Sequence, residues 1–288
     1  MTFNDDADIS TGKVSKRGRN VGIAVGGGLG AVALFVLSQF LGVDLTALVG
    51  GQQQQVTEES LDACRTGADA NVDIECRMKG AAASLDAYWS EEFVAVGGEY
   101  VSPQDMQLFT ASTQTGCGAA SSATGPFYCP PDQTIYIDVS FYDELRNRFG
   151  SSGGPLAEMY VVAHEWGHHI QNIAGILGTQ GGTGPASNQV RVELQADCFA
   201  GAWAGAASKV DDSAGVAFLK PITEAQIRDA LSAAAAVGDD RIQAAASGQV
   251  DPEAWTHGSS EQRQRWFLTG FTRGAGVCNT FAVDASRL

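Results

Sequence analysis

The chain has 288 residues, room for one or two globular domains of roughly 100–200 residues each. Hydrophobic residues make up 44% and aromatics 8%, which excludes wholesale disorder. Thirty-three acidic against 18 basic residues give a net charge of −15, which excludes a basic nucleic-acid-binding surface; 35 glycines without a Gly-X-Y period exclude a collagen-like rod.

Residues 1–20, with Lys13, Lys16, Arg17 and Arg19, read as a basic tail. From Val21 to Val43 there are 23 residues without a charge. As a helix they would extend about 34 Å, enough for a hydrocarbon core of about 30 Å and longer than the apolar part of a cleaved signal peptide. The expectation is an uncleaved signal anchor over 21–43, with the tail in the cytoplasm and everything beyond Asp44 outside, in a single-pass membrane protein. Gly26 to Ala31 fits G-x-G-x-x-A but has no strand before it and no amphipathic helix after it, so a dinucleotide site is rejected. Gly22, Gly26 and Gly30 form a small-residue stripe that could pair two membrane helices into a homodimer. Residues 44–61, including the polar run Gln52 to Gln55, read as a tether to one domain over 62–288.

All six cysteines follow the apolar run: Cys64, Cys76, Cys117, Cys129, Cys198 and Cys278. An even count in an extracytoplasmic context predicts three disulfides. Local spacing favours Cys64–Cys76 and Cys117–Cys129, which leaves Cys198–Cys278. No C-x-x-C pair is present, so a zinc ribbon or thioredoxin-type site is not expected.

Along the domain, Lys79 to Phe93 reads as a helix and Gly116 to Pro131 as an irregular, disulfide-stapled loop. Thr134 to Val139 alternates and is β-branched, the clearest strand; it is either a core strand or an edge able to pair with an extended peptide. Ser140 is placed to cap a helix ending before Gly150, and Pro155 opens a strong helix to about Ala174. Further helices are expected from about Val190 to Ala207, from the Thr223–Gln226 capping box through Ala236, and after Ser259 and Ser260. The fold class is therefore α+β, mostly helical, with a small sheet.

Three of the four histidines fall within six residues. His164-Glu165-Trp166-Gly167-His168 is H-E-x-x-H, whose i,i+4 imidazoles share a helix face and can hold one Zn²⁺. Glu165 is placed to take a proton from a water that the metal activates. A metzincin would need Gly and His where this chain has Gln171 and Ala174. The next helix carries Glu193-Leu194-Gln195-Ala196-Asp197. Glu193 is assigned as third ligand and Asp197 as hydrogen-bond acceptor for a ligand imidazole, with the reverse assignment left open. His169 points off the site and reads as structural. His257, in a Gly- and Ser-rich turn, is either a donor to the oxyanion at the site rim or a turn residue; Tyr160 is a second donor candidate, otherwise core.

These segments, with Thr256-His257-Gly258-Ser259-Ser260, Gly125-Pro126-Phe127-Tyr128-Cys129 and Asp143-Glu144-Leu145, resemble the bacterial neutral zinc metallopeptidase family from about Asp62 to Phe281. The resemblance implies a zincin-like fold with a Glu ligand, preceded by one transmembrane helix in a bacterial cell membrane, zinc as cofactor and a peptide or protein substrate. Two other readings stand beside it: a non-catalytic zinc-binding protein, which the intact Glu165 disfavours, and a zinc hydrolase of a non-peptide amide such as a cell-wall bond.

Overall fold

The computed structural model describes residues 2–17, 58–59, 61–95, 97–178 and 181–288. The first described stretch is not a tail. Phe3, Ala7 and Ile9 are fully buried, Phe3 bridges to Leu219, and the Asn71 side chain accepts from the backbone N–H groups of Thr2 and Phe3. Strand β1, Val14–Arg17, pairs antiparallel with β2, Glu58–Glu59, so that Arg17 lies opposite Glu58. Residues 2–17 thus belong to the same body as residues 61–288, which corrects the separation into a tail over 1–20 and a domain beginning at 62.

Thr66 and Asp69 form a capping box for α1, Gly67–Val72, and Asp73 accepts from the first N–H groups of α2, Ile74–Ala95. Helix α2 is longer than its alanine-rich centre predicts, and Ala81, Ala82 and Leu85 are buried in the core. Strand β3, Asp105–Phe109, runs parallel to β1. The expected irregular loop instead holds a hairpin of β4, Ser112–Thr115, and β5, Gly118–Ser121, then β6, Phe127–Cys129. Its Gly- and Ser-rich composition conceals strands because sheet pairing depends on cross-strand context more than on residue propensity.

Strand β7, Thr134–Asp138, lies parallel to β3 and antiparallel to β6 in a five-stranded sheet of order β2-β1-β3-β7-β6. With a neighbour on each side, β7 is a central strand and cannot pair with a peptide; β6 occupies the edge. Helix α3, Phe141–Asn147, follows, but Ser140 does not cap it, because its hydroxyl is drawn to Asp138.

The helical layer is built on α4, Pro155–Ile173, and α5, Asn188–Ala206, each buried along most of its length. Helix α6, Glu224–Ala236, has the expected Thr223–Gln226 box, and α7, Asp239–Ser247, follows after one Gly-containing turn. Helix α8, Ser260–Arg273, is capped by Ser259 and Gln262. It lies hard against α5: a Cβ on Gly270 would stand 1.8 Å from the Cys198 carbonyl oxygen. Only glycine permits that approach, and it brings one face of α8 within reach of the polar residues of α5.

Disulfides join Cys64–Cys76, Cys117–Cys129 and Cys198–Cys278, the pairing that local spacing favours. Among the described residues no helix is long and apolar enough to cross a membrane. The expected span over 21–43, its glycine stripe and residues 44–57 of the expected tether lie outside the described residues.

Candidate metal centre

Helix α4 carries the H-E-x-x-H segment, and its i,i+4 spacing sets the His164 and His168 rings edge to face, centroids 4.7 Å apart. Gly167 lies between them against α5, where a Cβ would stand 3.0 Å from the Ala196 Cα. A side chain there would push α5 away, and Glu193 with it. Glu193 Oε2 is 3.2 Å from His164 Nε2 and 3.5 Å from His168 Nε2, and the three donor atoms lie within 4.8 Å of one another. Ligands about 2.1 Å from a tetrahedral zinc stand roughly 3.4 Å apart, so this donor set fits the ion. Cys64, Asp73 and Cys76 also converge, but both cysteines are tied in a disulfide and offer no thiolate.

Each imidazole is held through its other nitrogen. His164 Nδ1 lies 2.9 Å from Asp197 Oδ1. Asp197 is wholly buried and is gripped by Arg263, whose Nε donates to Oδ2 at 2.8 Å and Nη2 to Oδ1 at 3.0 Å. Tyr160 donates its hydroxyl to Asp197 and accepts from Arg263 Nη2, so it is occupied in this network and packs in the core. His168 Nδ1 meets Gln171 Oε1 at 2.8 Å.

Charge follows this geometry. Burial works against ionised Asp197, but the Arg263 guanidinium and then His164 hold its carboxyl down to about 2. Burial likewise works against protonated His164, yet the Asp197 charge, with hydrogen bonds to Asp197 and Glu193, holds it up to about 10 without metal. Against its own burial, Glu193 is held well below the usual carboxylate range by the His168 charge and hydrogen bonds from both imidazoles. An anionic Glu193 beside two anchored imidazoles is a donor set that could hold a cation in place of the imidazole protons.

The centre opens on a cleft of about 450 Å³ whose walls include Glu165, His257, Arg263 and, from β6 and the turn before it, Gly125 to Tyr128. Glu165 makes no hydrogen bond among the described residues, so its carboxylate is available to a bound water. His257 is half-exposed on the cleft wall, its Nδ1 2.9 Å from Thr256 Oγ1 and 3.4 Å from Asp239 Oδ1. Asp239 Oδ2 also accepts from the backbone N–H groups of Thr256, His257 and Gly258, which fixes the turn that presents the ring. His169 is buried away from the site, its ring between the Tyr128 hydroxyl and the Val101 carbonyl, where it ties α4 to β6. Burial lowers its basicity.

The structure thus brings together His164, His168, Glu165, Glu193 and Asp197, with His257 across the cleft. Sequence reasoning missed Arg263, Asp239, Gln171 and Gln195. Gln171 had one legible signal, its i+3 position after His168; Arg263 had none, because it arrives from α8.

Comparison with known proteins agrees with the site. Over residues 3–281 the chain matches the family model described as putative neutral zinc metallopeptidase. It is 49% identical over 255 residues to the uncharacterized protein Rv2575 of Mycobacterium tuberculosis, covering 85% of each chain. It is 38% identical over 290 residues to the uncharacterized protein YpfJ of Escherichia coli K12, covering 96% of this chain and 94% of that one. No solved structure matches the chain significantly. Family match and near full-length relatives lead to one conclusion: this chain belongs to the family of putative neutral zinc metallopeptidases.

Proposed function

We propose that the chain is a zinc metallopeptidase of zincin-like architecture that hydrolyses peptide bonds in the cleft beside α4. The observation that carries this is the convergence of His164, His168 and Glu193 on one point with the Glu165 carboxylate in the same cleft. Zinc held by those three residues would supply Lewis-acid activation of water and of the scissile carbonyl. Glu165 accepts the water's proton and passes it to the departing nitrogen. His257, in the tautomer whose Nδ1 accepts from the Thr256 hydroxyl, offers its Nε2–H to the developing oxyanion. Strand β6, at the sheet edge and on the cleft wall, is positioned to pair with an extended substrate backbone. Phe127, Phe141, Val161, Val192 and Ile242 line the cleft and favour apolar side chains near the scissile bond. The test is zinc content and turnover of a fluorogenic peptide library, with and without chelator, beside Glu165→Gln. One zinc per chain and a loss of ~10²–10⁴ in turnover in the variant are expected. Absence of zinc, or unchanged turnover in Glu165→Gln, rejects the reading.

We also infer that residues 2–17 and 61–288 lie on one side of the membrane, outside the cytoplasm, with the apolar run from Val21 to Val43 as the means of attachment. The shared sheet supports the first part, since a single crossing between Arg17 and Glu58 would pull β1 from β2 and β3. Three disulfides support an oxidising compartment. The check is labelling of Ser10→Cys and Ser213→Cys in intact cells with a membrane-impermeant thiol reagent. Both should label; labelling of one alone, or of neither, rejects the arrangement.

A further inference from the structure

The two ligand imidazoles are anchored by different chemistry, and the second anchor is a relay of neutral amides. Gln171 is fully buried and Gln195 nearly so. Gln195 Nε2 lies 2.8 Å from the Cys278 carbonyl oxygen, and Gln195 Oε1 lies 3.0 Å from Gln171 Nε2. Gln171 Nε2 also donates to the Val192 carbonyl at 2.7 Å, and Gln171 Oε1 faces His168 Nδ1 at 2.8 Å.

The direction of every bond in this chain is fixed by its ends. A backbone carbonyl only accepts, so Gln195 must turn its NH₂ toward Cys278 and its oxygen toward Gln171. Gln171 faces that oxygen and the Val192 carbonyl, two acceptors, and must answer both with its NH₂. Its oxygen is left toward His168, where it can only accept. His168 Nδ1 must therefore carry a proton, which leaves Nε2, the nitrogen that faces Glu193, as the one able to give up its proton to a metal. The Cys198–Cys278 disulfide pins the far carbonyl to α5, the helix that also supplies Glu193 and Gln195. A flip of either amide would set two oxygens against each other in a buried place, which resists reorientation.

We propose that Gln171 and Gln195 are positioning residues that fix the tautomer and orientation of His168 for zinc, with the Val192 and Cys278 carbonyls as the terminal acceptors. The proposal rests on the metal-centre reading above, and the test separates the two. Zinc stoichiometry of the wild-type full chain comes first: if no zinc binds, the metal centre itself falls. If zinc binds, its dissociation constant is measured by chelator competition for Gln171→Met and Gln195→Met. Both variants should bind zinc ~10–100-fold more weakly, since a methionine can neither accept from Nδ1–H nor pass the relay on. Wild-type affinity in either variant would reduce the amides to packing and overturn the proposal. Should the methionine variants fail to fold, ¹⁵N-resolved imidazole spectra of the zinc-loaded wild type decide. A hydrogen-bonded, slowly exchanging Nδ1–H on His168 with metal at Nε2 supports the relay, and metal at Nδ1 overturns it.

Discussion

His164 and His168 sit one turn apart on the same helix and face the same point, yet the regions behind them differ in kind. Behind His164 lie a carboxylate, a guanidinium and a phenol, all buried: Asp197, Arg263 and Tyr160. Behind His168 lie two amides that end on backbone carbonyls. Each arrangement solves the same problem, a proton kept on Nδ1 so that Nε2 is the nitrogen freed for metal, but the charged solution depends on compensating cations and the neutral solution does not. A buried ion pair whose partner is removed leaves a charge in a low-dielectric place, whereas a buried amide that loses one partner leaves only a dipole.

Breaking the charged side should therefore cost most. Arg263→Met removes the guanidinium from buried Asp197, leaving it only His164 and Tyr160 as partners, and is expected to lower stability by ~3–5 kcal/mol, read by denaturant unfolding of the zinc-free protein. Replacing both partners, Arg263→Met with Asp197→Leu, should recover a large part of that loss; no recovery would show that Arg263 acts by packing alone. Asp197→Asn can present its NH₂ toward His164 and disturb the tautomer, so zinc affinity should fall ~10–100-fold in the same competition assay. On the neutral side, Gln195→Met should cost ~1–3 kcal/mol by unfolding, less than Arg263→Met. If the order reverses, the contrast between the two anchors fails.

Protons sharpen the comparison. Because Asp197 holds His164 up to about 10 without metal, this imidazole is protonated at pH 7 and zinc must displace that proton. Zinc affinity should fall as pH falls from about 10, and calorimetry at pH 7 in two buffers of different ionisation enthalpy should show proton release. Asp197→Asn, which removes the charge, should diminish that release. The smallest effect is expected of Tyr160→Phe, which removes the hydroxyl's two hydrogen bonds, to Asp197 and from Arg263, while both of those groups keep each other, and should cost about 1.5 kcal/mol by unfolding.

The two sides also differ in how much of them can be read without a structure. His168 and Gln171 are three apart on one helix, so local periodicity places them together. The same holds for His164 with His168 and for Glu193 with Asp197, all at i,i+4. Arg263 lies 66 residues beyond Asp197 on another helix. No pattern in the chain distinguishes it from the exposed Arg265 two positions on.

The sheet divides in the same manner. Strand β7 announces itself by alternation, but the edge that faces the cleft belongs to β6, in a Gly- and Pro-rich stretch. Strand β1 is four residues of mixed polarity whose partner in β3 lies some 90 residues away, and it reads as a basic tail until the pairing is seen.

By itself, the sequence determined the two helices that bear His164, Glu165, His168, Glu193 and Asp197, and the three disulfides, because helical periodicity and cysteine spacing are local quantities. Only the tertiary structure decided what stands behind each ligand, which strand borders the cleft, and that residues 2–17 share a body with residues 61–288. Those depend on which distant surfaces exclude water together, and burial is a property of the packed chain rather than of any segment within it.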